Sequence, residues 1–246
     1  MSIRKKILAI SIGPVLVLGV ITLLFILTMV KSSLMDEVQD ALKGTAAATL
    51  AAYDQNTGDY LESTNGDIWK GSYNISKSES LVDRIKENTG MDVTFFYGNK
   101  RIMTSALDKK GNRILGSEAG ERVVNQVIKG KKPFFSTNVS LDGTRNYGYF
   151  IPVYQNGTTD QVIGMVFVGT NKAKKDAIVN KILGSIMMAL LVVMLLCIVT
   201  AMRMAASISK NIKNSVAVVG KLADGDLNVW VDEKLLKRKD EIGDCL

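Results

Sequence analysis

The sequence predicts an α+β domain, made of a long helix and an antiparallel sheet of about five strands, held between two transmembrane helices. Three observations support this prediction. Two uncharged apolar runs are each long enough to cross a membrane. A helical periodicity follows the first run, and short strand-like runs separated by turn residues fill the stretch before the second run.

The composition excludes several classes of protein. The 246 residues include 31 Lys and Arg, 24 Asp and Glu and no His, so a histidine base or a histidine zinc ligand is absent from the sequence. The two Cys, Cys197 and Cys245, offer neither a CxxC site nor a disulfide framework. No nucleotide-binding, hydrolase or kinase motif occurs. We therefore expect no enzymatic activity, no cofactor and no structural metal.

Two apolar runs predict transmembrane helices. Ile7 to Val30 and Ile182 to Met202 carry no charged residue. As helices they would be about 36 Å and about 31 Å long, against a hydrocarbon core of about 30 Å. A signal peptide would have a shorter apolar core and a small-residue cleavage site, and helices buried in a soluble protein are rarely uncharged over such lengths. We therefore expect a two-span protein of the plasma membrane.

The charges beside these runs predict the orientation. Arg4 to Lys6 precede the first run, and Arg203, Lys210 and Lys213 follow the second run with no acidic residue before Asp224. Both termini are therefore expected to be cytoplasmic, by the positive-inside rule. The outer segment has a nearly even balance of charges and no basic stripe interleaved with aromatic residues, so no nucleic-acid partner is expected. The predicted segments are a cytoplasmic N-terminus (1–6), a first span (7–30), an outer domain (31–181), a second span (182–202) and a cytoplasmic helical linker (203–246).

The outer segment begins with a helical pattern and continues with strands. Apolar or small residues at a spacing of three or four extend the first span outward as one helix: Leu34, Val38, Leu42, Thr45, Ala48 and Ala52. The predicted strands are Val93–Tyr97, Lys100–Ser105, Phe134–Val139, Asn146–Tyr154 and Val162–Gly169. Two shorter helices are expected, at Leu81–Asn88 and around Val123–Ile128. This order predicts helices packed on one face of the sheet.

The residues after the second span resemble a signalling linker. Ile208, Ile212, Val219 and Leu222 form a short heptad stripe that needs a partner, so a homodimer is expected. The run Ala223 to Leu227, followed by Asp240-Glu241-Ile242-Gly243, resembles the HAMP linker of bacterial chemoreceptors and sensor kinases. It departs from that pattern in having Asn211-Ile212 where a HAMP helix usually starts with Pro, and in carrying Cys245 near its closing apolar position.

The outer domain resembles the PAS-like single Cache domains of methyl-accepting chemotaxis receptors, from about Gly66 to Thr170. The blocks that carry the resemblance are Leu81-Val82-Asp83-Arg84-Ile85, Thr89-Gly90-Met91-Asp92-Val93-Thr94, Arg101-Ile102-Met103-Thr104, Gly111-Asn112-Arg113-Ile114-Leu115-Gly116-Ser117, Tyr147-Gly148-Tyr149-Phe150-Ile151-Pro152-Val153 and Ile163-Gly164-Met165-Val166-Phe167-Val168-Gly169. The family usually has Thr where Ser117 stands. The resemblance implies a small-molecule pocket between the sheet and the loops that cover it.

The resemblance makes Arg101 and Arg113 the candidate ligand-binding cations. A guanidinium binds a carboxylate through two parallel hydrogen bonds and stays charged when partly desolvated. Tyr147 and Tyr149 alternate on one strand and therefore share a sheet face, where they form either one wall of a pocket or part of the core. Thr104 is included through the resemblance alone, and strict alternation turns it away from Arg101.

These observations predict a transmembrane chemoreceptor of the methyl-accepting type. It would sense a small extracellular ligand, a short carboxylate, and transmit the signal across the lipid bilayer through the HAMP linker to a cytoplasmic signalling module or partners beyond Leu246. Two alternatives remain at this point. One is the input half of a sensor histidine kinase or cyclase, and the other is a truncated, non-sensing membrane adaptor.

Overall fold

A computed structural model describes residues 3–225 of the chain. The chain divides into two compact units, one made of the residues up to Thr28 together with those from Ile182 onward, and the other made of Met29–Lys181. Most of the predicted HAMP motif, including Asp226-Leu227 and Asp240–Gly243, lies outside the described residues, as does Cys245.

The described residues form five α-helices and eight strands. The helices are α1 (Ile3–Phe25), α2 (Lys31–Asp54), α3 (Glu79–Thr89), α4 (Glu121–Val123) and α5 (Lys172–Ala223). The strands are β1 (Tyr60–Glu62), β2 (Ile68–Lys70), β3 (Tyr73–Asn74), β4 (Asp92–Tyr97), β5 (Lys100–Thr104), β6 (Phe134–Leu141), β7 (Thr144–Tyr154) and β8 (Val162–Asn171). Single π-helical segments join α1 to α2 (Ile26–Val30) and extend α4 (Val124–Lys129), and a 3₁₀ turn covers Ile75–Lys77.

Two helical stretches contain the predicted spans. Lys5–Asp54 and Lys172–Lys221 are long and apolar enough to cross a membrane. In their most apolar windows only 6% and 0% of the residues are buried. A core helix of a soluble protein would bury most of that surface, so the exposure of these apolar side chains is the pattern expected of helices that face lipid.

The main sheet of the Met29–Lys181 unit has five antiparallel strands in the order β5-β4-β8-β7-β6. The two predicted hairpins and the returning strand are confirmed. The predicted helix before Gly90 is confirmed as α3, and Gly90 caps it in the left-handed conformation with a φ of 69°. A second, three-stranded sheet of β1, β2 and β3 was not predicted. Its strands have only two or three residues each, which is too short for an alternating pattern to be recognised.

Both faces of the main sheet are covered, which corrects the prediction that helices pack on one face alone. Helix α2 packs against β7 and β8 on the face that carries Val93, Phe95 and Val168, and we call this the α2 face. The π-helical segment 124–129 contacts the same two strands, and its buried Val127 belongs to a second apolar cluster with Phe150 and Phe167 on the opposite face. The central strand β8 is buried without interruption from Gly164 to Thr170. A strand with no exposed side requires cover on both faces of the sheet.

A bulge in β5 corrects the prediction that Thr104 turns away from Arg101. The β4–β5 register shifts between Phe95 and Phe96, so that Phe96 pairs with Arg101 while Thr94 pairs with Thr104. Alternate residues of β4 share a face, so their partners Arg101 and Thr104 share that face as well. The extra residue in β5 reverses the alternation that the sequence alone implies.

Candidate functional site

A cavity of about 490 Å³ lies on the face of the sheet opposite α2. Its floor is aromatic and comes from the three inner strands and from β6: Phe96, Phe134, Phe150 and Phe167. Its sides are formed by the segment Glu118–Val123 and by the polar residues of β6, which are Ser136, Thr137, Asn138 and Ser140. The β6–β7 register shifts between Ser136 and Val139, so this part of the edge strand departs from regular pairing. Cavities of about 300–1,000 Å³ are typical of small-molecule sites.

Arg101 supplies a buried positive charge to this cavity. Its position on β5 opposite Phe96 places the guanidinium carbon 5.3 Å from the centre of the Phe96 ring, and the residue is only 8% exposed. Nη1 donates to the Ile114 carbonyl oxygen at 3.3 Å, whereas the buried Nε has no hydrogen-bond partner within residues 3–225. Burial lowers the pKa of the Arg101 guanidinium below its usual value, because desolvation disfavours the charged form. The side chain is therefore a cation whose donors are not all satisfied by the part of the chain that the structure describes.

Two further charged residues stand at the wall of the cavity. The Arg122 guanidinium lies 5.4 Å from the centre of the Phe134 ring, and Arg122 itself is exposed. Glu118 belongs to the same wall, and its backbone bridges to Lys100 at the start of β5. Together with Arg101 these groups give the cavity a formal charge of +1, and a guanidinium lying over an aromatic ring is held in place by a cation–π contact.

Arg113 lies elsewhere and is already paired. Its two terminal nitrogens donate to the two Asp83 carboxylate oxygens at 2.9 and 2.5 Å, and Nη1 also donates to the Thr104 carbonyl oxygen at 2.7 Å. These bonds hold the pKa of the Asp83 carboxyl below its usual range and raise that of Arg113. The carboxylate of Asp83 thus occupies the fork that the family resemblance assigned to a ligand.

Thr104 is buried within the sheet. Its hydroxyl shares a 2.7 Å hydrogen bond with the Thr94 hydroxyl, accepts from the Ala106 backbone N–H, and lies 3.1 Å from the Val93 carbonyl oxygen. The hydroxyl therefore has protein partners on all sides, and it does not belong to the cavity wall.

Tyr147 and Tyr149 share a face, as their alternation predicts, and that face is the one packed by α2. Both belong to the apolar cluster on that face, with exposed fractions of 2% and 7%. The Tyr147 hydroxyl donates to Asp176 Oδ1 at 2.5 Å and accepts from Lys172 Nζ at 3.1 Å. Burial raises the pKa of Tyr147, and donation to Asp176 raises it further. The sheet therefore separates the two tyrosines from the cavity, and ligand contact by them stays a prediction, as it does for Thr104 and Arg113.

The sequence reasoning named Arg101 but missed the other cavity residues. Glu118 lies in a loop and Arg122 in a short helix, and only the fold brings them beside β5. One signal was available, because three consecutive polar residues, Ser136-Thr137-Asn138, are unusual in a strand whose inner face packs on a core. Within residues 3–225, no group of three His, Cys, Asp or Glu side chains is arranged to hold a metal ion.

Comparison with known proteins shows what part of the chain is similar to. Residues 73–182 match the family model described as single cache domain 3. Among solved structures, an extracellular ligand binding receptor from Desulfohalobium retbaense is 15% identical, with 60% of this chain and 25% of that chain covered and a TM-score of 0.41. The sensory domain of the Campylobacter jejuni chemoreceptor Tlp3 (CcmL) is 10% identical, with 70% and 64% covered and a TM-score of 0.39.

The chain spans less than two thirds of either solved structure. No curated protein matches the chain. The family match covers β3 to β8, α3, α4 and the beginning of α5, and so includes the whole main sheet and the cavity. Two apolar helices flank this region. Residues 73–182 of the chain are therefore similar to single Cache domains.

Proposed function

We propose that the chain is the input half of a transmembrane chemoreceptor of the methyl-accepting type, which binds a small organic carboxylate in the cavity beside Arg101. The observation that carries this proposal is the buried Arg101 guanidinium, which lines a cavity and is incompletely hydrogen-bonded within the described residues, in a region similar to single Cache domains. A buried cation without a full set of partners is costly unless an anion completes it. A ligand carboxylate would do so through charged hydrogen bonds, each worth about 1.5–3 kcal/mol.

Contacts at the end of the sheet support transmission of the signal into α5. Strand β8 ends at Asn171 and α5 begins at the next residue, Lys172. In the first turns of α5, Lys172 Nζ lies 4.3 Å from the centre of the Tyr147 ring, and Asp176 accepts from the Tyr147 hydroxyl. A displacement of β7 would therefore reach the helix through these side chains, and a displacement of β8 would reach it through the chain itself. A ligand that binds one arrangement more tightly than another needs a coupling of only about 1–3 kcal/mol.

The remaining parts of the proposal concern the membrane and the cytoplasm. Both termini would be cytoplasmic because both short flanks are basic. The stripe of Ile208, Ile212 and Val219 on α5 would pair with a second copy and lead into a HAMP linker. A cytoplasmic signalling module or separate partner proteins would then receive the signal.

A thermal-shift screen of the intact chain in lipid nanodiscs tests the binding step. We would compare small carboxylates, amino acids, amines and sugars, following intrinsic tryptophan fluorescence, which comes from Trp69 in β2 and from Trp230. Carboxylates are expected to raise the melting temperature, and Arg101→Gln is expected to abolish this rise. Arg84→Gln is the matched control, because Arg84 is an exposed arginine on α3 and does not belong to the cavity wall.

The variant Arg113→Gln separates the two candidate arginines. Loss of the carboxylate response in Arg113→Gln but not in Arg101→Gln would move the site to the loop beside α3. A response to none of the four ligand classes would contradict the sensor function and favour a membrane adaptor.

A further inference from the structure

We infer that the ligand is a monocarboxylate with a ring-sized apolar body, of the aryl carboxylate class, rather than a two- or three-carbon acid. This inference rests on the proposed function, because it specifies the ligand of the same cavity. It is carried by three features of the cavity: its volume, its aromatic floor and its charge.

The volume exceeds what a short acid can fill. The cavity measures about 490 Å³. An engineered apolar cavity of about 150 Å³ is large enough to bind benzene. A two-carbon acid at Arg101 would leave most of the space to water, whereas a carboxylate attached to a ring would occupy both the charged end and the apolar region.

The floor is suited to an aromatic ring. Phe150 lies between Phe167 and Phe134, with ring centres separated by 4.7 Å and 6.5 Å and ring planes inclined at 40° and 31°. Aromatic rings attract one another at centre distances of about 4.5–7 Å in offset or tilted arrangements. Gly148 and Gly169 lie beneath Phe167, and a Cβ at Gly148 would come within 2.5 Å of Phe167 Cε2. The two glycines thus make room for the Phe167 ring. Water that lies against these aromatic rings makes few hydrogen bonds with them, so its displacement by a ligand ring is favourable.

The charges select a single carboxylate. Arg101 and Arg122 each lie over a phenylalanine of the floor, Phe96 and Phe134 respectively, so the cationic groups border the aromatic region directly. Glu118 in the same wall offsets one of the two positive charges. A monoanion balances the remaining charge, whereas a second carboxylate would meet Glu118 and a neutral ring would leave Arg101 incompletely bonded.

The neutral polar groups of β6 can orient the ligand without selecting against a ring. Ser136, Thr137, Asn138 and Ser140 supply hydroxyl and amide groups along one side of the cavity. These groups can bond a carboxylate oxygen directly or through water. One side of the cavity is therefore polar and the floor is apolar, which matches a ligand with one charged end.

Isothermal titration calorimetry on the intact chain in nanodiscs tests the inference. The probes are acetate, propionate, phenylacetate, the neutral analogue phenylacetamide and the dicarboxylate phenylsuccinate. We expect phenylacetate to bind at least about tenfold more tightly than acetate, because the ring buries additional apolar surface. Phenylacetamide and phenylsuccinate are each expected to bind at least about tenfold more weakly than phenylacetate.

Two variants show where the ring and the carboxylate bind. Phe134→Leu keeps an apolar side chain at a half-buried position and is expected to weaken phenylacetate severalfold while leaving acetate unchanged. Arg101→Gln is expected to remove the binding of every carboxylate, and Arg84→Gln to change none. Melting temperatures of the unliganded variants confirm that they are folded.

The possible failures are distinguishable. Acetate and propionate binding through Arg101 as tightly as phenylacetate would overturn the aryl ligand class and leave the proposed function standing. Phenylacetate binding that is indifferent to Phe134→Leu would place the ring outside this cavity and would also overturn the inference. Binding of no carboxylate at all would overturn the proposed function together with the inference.

Discussion

Replacing Arg101 by Met should change the stability of the unliganded domain by less than the loss of a well-paired buried charge would, although the side chain is buried. Arg101 is 8% exposed, and truncating one partner of a well-paired buried ion pair costs about 3–5 kcal/mol. Arg101 is different because its Nε has no hydrogen-bond partner within the described residues and Nη1 makes only a long bond of 3.3 Å. A side chain kept for ligand binding at some cost in stability is expected to behave in this way.

The size of the effect follows from three contributions. Leaving a buried polar atom unsatisfied costs about 1–3 kcal/mol, and this cost disappears in Arg101→Met. The substitution loses the cation–π contact with Phe96, worth about 0.5–2 kcal/mol, and one hydrogen bond worth about 0.5–1.5 kcal/mol. Met preserves most of the apolar length of the side chain. We therefore expect a change in the free energy of unfolding between a decrease of about 2.5 kcal/mol and an increase of about 2 kcal/mol.

Urea unfolding of the Met29–Lys181 segment, which forms a compact unit with its own core, provides the assay. Unfolding is followed by Trp69 fluorescence. The free energy of unfolding should fall with urea concentration at the same rate in the native segment and in Arg101→Met, so that a change in the midpoint reports a change in stability. A bound carboxylate at one hundred times its dissociation constant should stabilise the native segment by about 2.7 kcal/mol and the Met variant not at all. A loss of more than about 3 kcal/mol in Arg101→Met without ligand would refute the reasoning, since it would mean that the charge is well compensated.

Three further predictions concern residues outside the cavity. Arg113 lowers the folded-state pKa of Asp83, so the pair contributes stability above the unfolded pKa of Asp83 and loses it as pH falls through the folded pKa. Asp83→Asn should therefore flatten the acid limb of a stability–pH profile measured below about pH 5. The effect should be less than about 1 kcal/mol because the Asp83 side chain is 43% exposed. Tyr147→Phe removes a hydroxyl with two hydrogen bonds and should cost about 1 kcal/mol in urea unfolding, with an unchanged value counting against the contact to α5. Gly164→Ala should lower the free energy of unfolding by at least about 1–3 kcal/mol, because a Cβ would overlap the backbone of the neighbouring strand. Gly44→Ala, in open space on α2, should raise the free energy of unfolding by about 0.5–1 kcal/mol. Equal effects in the two variants would contradict this comparison.

Part of the candidate site was accessible from the sequence, and part was not. Arg101 could be named because it falls in a block that resembles the Cache family. The role of Arg113 could not be judged in the same way, because Asp83, which occupies its guanidinium, lies thirty residues earlier in the chain. The position of Thr104 depended on a bulge in β5, and the sequence of this strand does not reveal it because its polar and apolar residues do not alternate regularly.

The sequence by itself determined the features that depend on neighbours along the chain. Uncharged length predicted the two apolar helices, helical spacing predicted α2, and β-branched and aromatic runs separated by turns such as Gly98-Asn99 predicted the five main strands. Tertiary structure alone decided that both faces of the sheet are covered, that the tyrosines of β7 face α2, and that Arg122 and Glu118 join Arg101 around one cavity. The physical reason is that periodicity records which side of an element is apolar, whereas the partner of that side is set by contacts between residues far apart in the chain.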